Sequence, residues 1–62
     1  MRELDYLLHQ IALEVDAIQQ NLANGAAKSY EEYQHLCGKI RGLLVTEDII
    51  KALKERMEKD DE

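Results

Sequence analysis

Leu22-Ala23-Asn24-Gly25-Ala26-Ala27-Lys28-Ser29-Tyr30-Glu31-Glu32-Tyr33 decides how this chain folds, because it holds a helix stop and a helix start a few residues apart. Asn24 and Gly25 are residue types that readily take left-handed backbone at a helix C-terminus, so a helix arriving from the N-terminal side should end near Ala23. Ser29 can accept a hydrogen bond from the backbone of the next helix while Glu32, three positions on, reaches back. That arrangement is a capping box, and it starts a second helix at Tyr30.

On the N-terminal side of this stretch, Leu4, Leu8, Ile11, Val15, Ile18 and Leu22 recur at alternating spacings of four and three, which places all six on one helical stripe. On the C-terminal side Tyr33, Leu36, Ile40, Leu43 and Ile50 keep the same rhythm, and Leu53 and Met57 continue it after one slip. The slip falls at Thr46-Glu47-Asp48, where a strict heptad buries Glu47 and a three-residue step buries Thr46. A local irregularity is expected there. Thr46 before two acids could cap a separate short helix, whereas the i,i+4 pairs Glu47 with Lys51 and Glu55 with Lys59 favour one continuous helix.

Two amphipathic helices joined by a short connection imply an all-α fold, an antiparallel two-helix hairpin with coiled-coil rhythm. The register can be tested by pairing residues whose numbers sum to a constant. Leu22 with Tyr33, Ile18 with Leu36, Val15 with Ile40, Ile11 with Leu43, Leu8 with Thr46 or Glu47, and Leu4 with Ile50 all sum to 54 or 55. The expected organisation is a single unit, with helix 1 over residues 3–23, a turn at 24–29 and a longer helix 2 over 30–58. Helix 2 then overhangs helix 1 by about 13 Å at 1.5 Å per residue, carrying Leu53 and Met57.

The seam leaves apolar residues over. Tyr6, Leu7 and Leu13 on helix 1, with Cys37, Leu44, Val45 and Ile49 on helix 2, form a second apolar strip that a lone hairpin cannot cover. A contiguous apolar patch on so small a protein points to an interface. Gly38 and Gly42 each cost about 1 kcal/mol relative to Ala inside a helix, and four residues apart they share a face where another backbone could come close. Gly38, Gly42, Leu44, Val45, Ile49, Leu53 and Met57 are therefore the candidate protein-interface residues, completed by a second copy of the chain or by a larger partner.

Composition narrows the chemistry. The 62 residues carry 13 acidic and 8 basic side chains, a net charge of -5, one Cys and no Pro, Trp or Phe. So short a chain buries only about 60% of its unfolded surface and usually needs a staple, a metal or a partner. One cysteine forms no internal disulfide and suits a reducing compartment. Cys37 with His9 and His35 lacks the ligand number and spacing of a structural zinc site, so no metal and no cofactor are expected. No Ser, His and acid can be argued into a triad, and a hairpin encloses no pocket; the expectation is a protein that is not an enzyme. With no cluster of Lys and Arg, direct nucleic-acid binding is disfavoured, although imitation of nucleic acid is not. No apolar run approaches the roughly 20 residues of a membrane span, and the acidic start lacks the basic flank of a signal peptide. Tyr30 and Tyr33 are expected to pack the turn end, and the acidic tail from Lys59 to Glu62, unfavourable at a helix C-terminus, to fray.

The run Asn21-Leu22-Ala23-Asn24-Gly25-Ala26-Ala27-Lys28-Ser29-Tyr30, followed by Tyr33, by Leu36-Cys37-Gly38-Lys39-Ile40-Arg41-Gly42-Leu43 and by a terminal Asp60-Asp61-Glu62, resembles small acidic helical proteins of tailed bacteriophages, often encoded among virion-structure and packaging genes. The likeness covers most of the chain. An Asp commonly stands at the position of Ser29, which preserves the cap chemistry. The resemblance implies a phage context: a structural or assembly protein, in the virion or the host cytoplasm, docked as a helical hairpin on portal, capsid or neck proteins, with homo-oligomers as the other partner class. The alternative is a small acidic inhibitor of a host defence or transcription protein. The acids Glu3, Asp5, Glu14, Asp16, Glu31, Glu32, Glu47 and Asp48 are interspersed with Lys39, Arg41, Lys51 and Lys54. They do not line one face as a nucleic-acid mimic requires, so the structural reading is preferred.

Overall fold

In the computed structural model, which describes residues 2–60, the six-residue stop and start act as the sequence demands. Helix α1 spans Arg2–Ala23 and helix α2 spans Tyr30–Asp60. Gly25 takes a positive φ of 80°. Its N–H donates to the Leu22 carbonyl at 3.1 Å, and the Ala26 N–H donates to the Asn21 carbonyl at 2.9 Å. These two bonds make a Schellman motif, which satisfies the last carbonyls of α1 and reverses the chain. At the other side of the turn the Glu32 N–H donates to Ser29 Oγ at 3.1 Å. The Glu32 carboxylate reaches back to accept from the Lys28 N–H at 2.8 Å, one residue before the cap itself. A capping box thus holds the start of α2, shifted by one donor from its usual form.

The helices pack antiparallel, about one turn out of the expected ladder: Leu22 stands opposite Leu36, Ile11 opposite Glu47, Leu8 opposite Ile50 and Leu4 opposite Lys54, while Tyr33, expected against Leu22, is exposed. Ile18 is buried, with 8% exposure, and Leu4, Leu8, Ile11, Val15 and Leu22 are half-buried beside it. The facing stripe on α2 is Leu36, Ile40, Leu43, Glu47, Ile50 and Lys54, an unbroken alternation of four and three. The seam therefore runs as a strict heptad straight through the expected slip, and α2 is one continuous helix. Thr46 is exposed and caps nothing, since its hydroxyl donates to the Gly42 carbonyl 2.9 Å away within the same helix. Glu47 takes the seam position because its aliphatic stem covers apolar surface while its carboxylate meets the Lys51 ammonium at 3.3 Å.

Lys54 is the last seam residue of α2, level with Leu4 in the first turn of α1, and its ammonium bonds the Asp5 carboxylate across the two helices. The residues around Leu53, expected to overhang, thus lie beside the first turn of α1, and the projection of α2 past Arg2 shortens to about its last turn. Leu53 and Met57, expected to continue the seam, flank Lys54 and remain 45% and 41% exposed. Tyr33 is 48% exposed and Tyr30 73% exposed. The Tyr30 hydroxyl accepts from Gln34 Nε2 at 2.6 Å along α2, so neither ring closes the turn. Helix α2 runs through Lys59 and Asp60; the last two residues of the acidic tail lie outside the described residues.

The result is a rod of 51 × 16 × 12 Å. Its radius of gyration, 14.8 Å, compares with about 10.6 Å for a compact chain of this length. Full burial of a Leu or Ile side chain contributes about 1.5–3 kcal/mol, and among the described residues Ile18 alone receives it.

Candidate functional site

A helix presents one face to its neighbour, and in a two-helix hairpin the opposite face has none. On α2 the stripe opposite the seam is Gly38, Gly42, Val45, Ile49 and Ala52, again at alternating spacings of four and three. Val45 is 53% exposed and Ile49 63% exposed. A Cβ built on Gly38 or on Gly42 would meet no atom within 4 Å. Helix α1 is thus not the element that approaches these glycines closely; Gly38 opens onto a shallow groove with Gln34, Cys37 and Arg41, and Gly42 stands at the rim of the groove along one edge of the seam.

The seven candidate interface residues separate into two groups. Gly38, Gly42, Val45 and Ile49 share the outward stripe, with Leu53, 45% exposed, on its edge one turn beyond Ile49. Leu44, 44% exposed, and Met57, 41% exposed, border the seam instead, on its two sides. The apolar residues of α1 form a third group: Tyr6 and Leu13, 63% and 51% exposed, lie seven residues apart on α1's own outer face, with Leu7 at 44% beside them. The second strip expected from the sequence is therefore two strips on opposite sides of the rod. Each helix turns its seam inward, so each outer face points away from the other. Tyr6 and Leu7, with Arg2 and Glu3, also line a shallow groove at the open end.

The accessible surface of the chain is 5088 Å². A compact monomer of its 7.2 kDa mass would expose about 4100 Å². The excess of roughly 1000 Å² is comparable with the 800 Å² that one partner buries in an interface of ordinary size.

Electrostatics adds one cross-helix element. The Lys54 hydrogen bond holds the Asp5 carboxyl below the usual carboxylate range, and the same contact raises the Lys54 ammonium above its usual value. The Cys37 thiol beside Tyr33 pushes that phenol up. Cys37 is half-buried, while His9 and His35 are exposed. His35 lines an open groove near the turn with Asn21, Glu31, Glu32 and Leu36. A longer groove along one edge of the seam has Glu14, Asn21, Lys39, Gly42 and Thr46 in its walls. Among the described residues no three His, Cys, Asp or Glu side chains stand close enough to hold a metal ion, and no helix is long and apolar enough to cross a membrane.

Glu47 and Lys54 escaped the sequence reading as seam residues because that reading followed apolar side chains alone. The signal that finds them is the unbroken heptad from Leu36, with an acid available at Asp5 for the second. Comparison with known proteins finds no family model, no curated protein and no solved structure that matches this chain.

Proposed function

We propose that this protein is a non-enzymatic structural or assembly component of a tailed-phage particle, a helical hairpin that docks on portal, capsid or neck proteins through the apolar surface its fold leaves open. The observation that carries the docking role is the distribution of apolar side chains. Among the described residues one is buried, and Tyr6, Leu13, Val45, Ile49, Leu53 and Met57, among others, stand exposed on a rod. Apolar patches of this extent on a small domain mark interaction sites. The sequence resemblance described above supports the phage setting and the class of partner.

The C-terminal turns of α2 suit the docking role best. Leu53 and Met57 stand exposed there one turn apart, so they can enter a groove on a larger protein as successive apolar anchors of one helix, the common mode of helix-in-groove recognition. The Lys54–Asp5 contact holds these turns against α1.

Quantitative mass spectrometry of purified particles tests this reading. A structural component is present at a fixed ratio to the portal or capsid protein from one preparation to the next. Absence from particles, with the protein found instead bound to a host protein, would contradict it and support the inhibitor reading.

A further inference from the structure

The outward stripe of α2 has a composition that determines what fits it. Along its length small and branched residues are segregated: Gly38 and Gly42 come first, then Val45 and Ile49. One flank carries Gln34, Arg41, Asp48 and Glu55, so that it is basic beside the glycines and acidic beside Ile49. Arg41 and Asp48 are both exposed, and neither forms an ion pair within the described residues. A face with small residues and positive charge in one half, and large residues and negative charge in the other, is complementary to itself when turned end for end.

We propose that two copies of this chain associate through the outer faces of their α2 helices, antiparallel about a two-fold axis between Leu43 and Leu44, in the register where paired residue numbers sum to 87. In that register Gly42 faces Val45 of the second copy and Gly38 faces its Ile49, so that the open space over each glycine takes a branched side chain. Arg41 then lies across from Asp48 of the second copy, one diagonal step away, and the symmetry makes this contact twice. Because the same patch is used on both copies, the assembly closes at two.

Other registers lose one or both matches. Shifting by a heptad to a sum of 94 sets Val45 against Ile49 and Gly42 against Ala52, and brings the two Asp48 carboxylates together. A sum of 80 puts glycine against glycine and Arg41 against Arg41. A parallel pair sets each glycine against itself and gives Arg41 and Asp48 no opposite charge. Like charges across an interface are disfavoured strongly enough to select among these. The surface in excess of a compact chain is about what one copy must bury in a stable dimer. This inference goes beyond the particle-docking role and does not depend on it, since it leaves Met57 and the outer face of α1 free for a larger partner.

Charge exchange on the full-length protein tests the proposal, with sedimentation equilibrium reading mass and circular dichroism reading helix content. The wild-type chain is expected to reach twice its 7.2 kDa mass. Arg41→Asp alone and Asp48→Arg alone should each weaken the dimer at least about tenfold while helix content at matched concentration holds. The double variant Arg41→Asp with Asp48→Arg should restore it to near wild type. Gly42→Leu, whose side chain enters open space in the hairpin, should keep the helix and abolish dimerisation. A wild-type chain that stays monomeric, single exchanges without effect, a double exchange that fails to restore association, or a Gly42→Leu protein that dimerises normally would each overturn the proposal.

Discussion

Replacing Gly38 and Gly42 by Ala should stabilise the hairpin and weaken its self-association, two effects of opposite sign from one change. In the hairpin both positions face open space, so the added methyl groups meet nothing within 4 Å. The helix-propensity gain of about 1 kcal/mol per position is then realised without a steric cost, about 2 kcal/mol for the pair. Against a total stability of roughly 3–9 kcal/mol for a chain of this length that is a large increment. It should raise the melting temperature by about 8–16 °C. The measurement belongs in the Arg41→Asp background at the lowest workable concentration, where association contributes least to the melt, with circular dichroism as the readout. In the wild-type background the same methyl groups intrude where the second copy brings Val45 and Ile49. Overpacking of this kind costs about 1–3 kcal/mol, so the dimer should weaken by about tenfold or more. A lower melting temperature in the monomeric background would mean that a side chain already packs on these glycines within the hairpin. Unchanged association would mean that the glycine face meets no partner.

Three further outcomes follow from the described contacts. Ser29→Ala removes the acceptor of the Glu32 N–H and should destabilise the hairpin by about 1 kcal/mol, read from the thermal melt. The Asp5–Lys54 contact should contribute from about pH 4 to about pH 10. Its stabilisation is lost as pH falls through the lowered Asp5 value and as pH rises through the raised Lys54 value. An NMR titration of the Asp5 carboxyl should show it returning to the ordinary range in Lys54→Ala, and an Asp5 titration unchanged by that substitution would refute the contact. Truncation after Lys51 removes Leu53 and Met57 together with the Lys54–Asp5 contact, so the chain should keep its α2 dimer and most of its helix per residue while losing incorporation into particles; full incorporation would place docking elsewhere.

Most of the fold was legible because its determinants are local or periodic. The stripe from Leu4 to Leu22 became the α1 seam without exception, and Asn24-Gly25 and Ser29 with Glu32 became the Schellman motif and the capping box. These signals need only neighbouring residues to act. The open half of the seam was misread because hydrophobic periodicity assumes that seam positions are apolar. Glu47 and Lys54 satisfy the heptad with aliphatic stems and place their charges at the rim, so following apolar residues led instead to Leu53 and Met57. Thr46 was ambiguous for a different reason: a hydroxyl can cap a new helix or bond back into the old one, and only the continuing backbone decides. The candidate interface was partly legible. The sequence marked Gly38 and Gly42 as positions of close approach but could not say from which side, because that depends on the rotation of α2 about its own axis. Once Leu36, Ile40 and Leu43 face α1, the glycines must face outward. The same rotation divides what looked like one apolar strip into two on opposite sides.

The central claim is that this hairpin is incomplete alone and that its outer apolar surface is an interface. Sedimentation equilibrium of the purified chain from micromolar to millimolar concentration, with circular dichroism on the same samples, tests it most directly. Mass should rise with concentration from one chain toward two, and the melting temperature should rise with it. A chain that remains monomeric across the whole range and melts sharply at a concentration-independent temperature would contradict the claim.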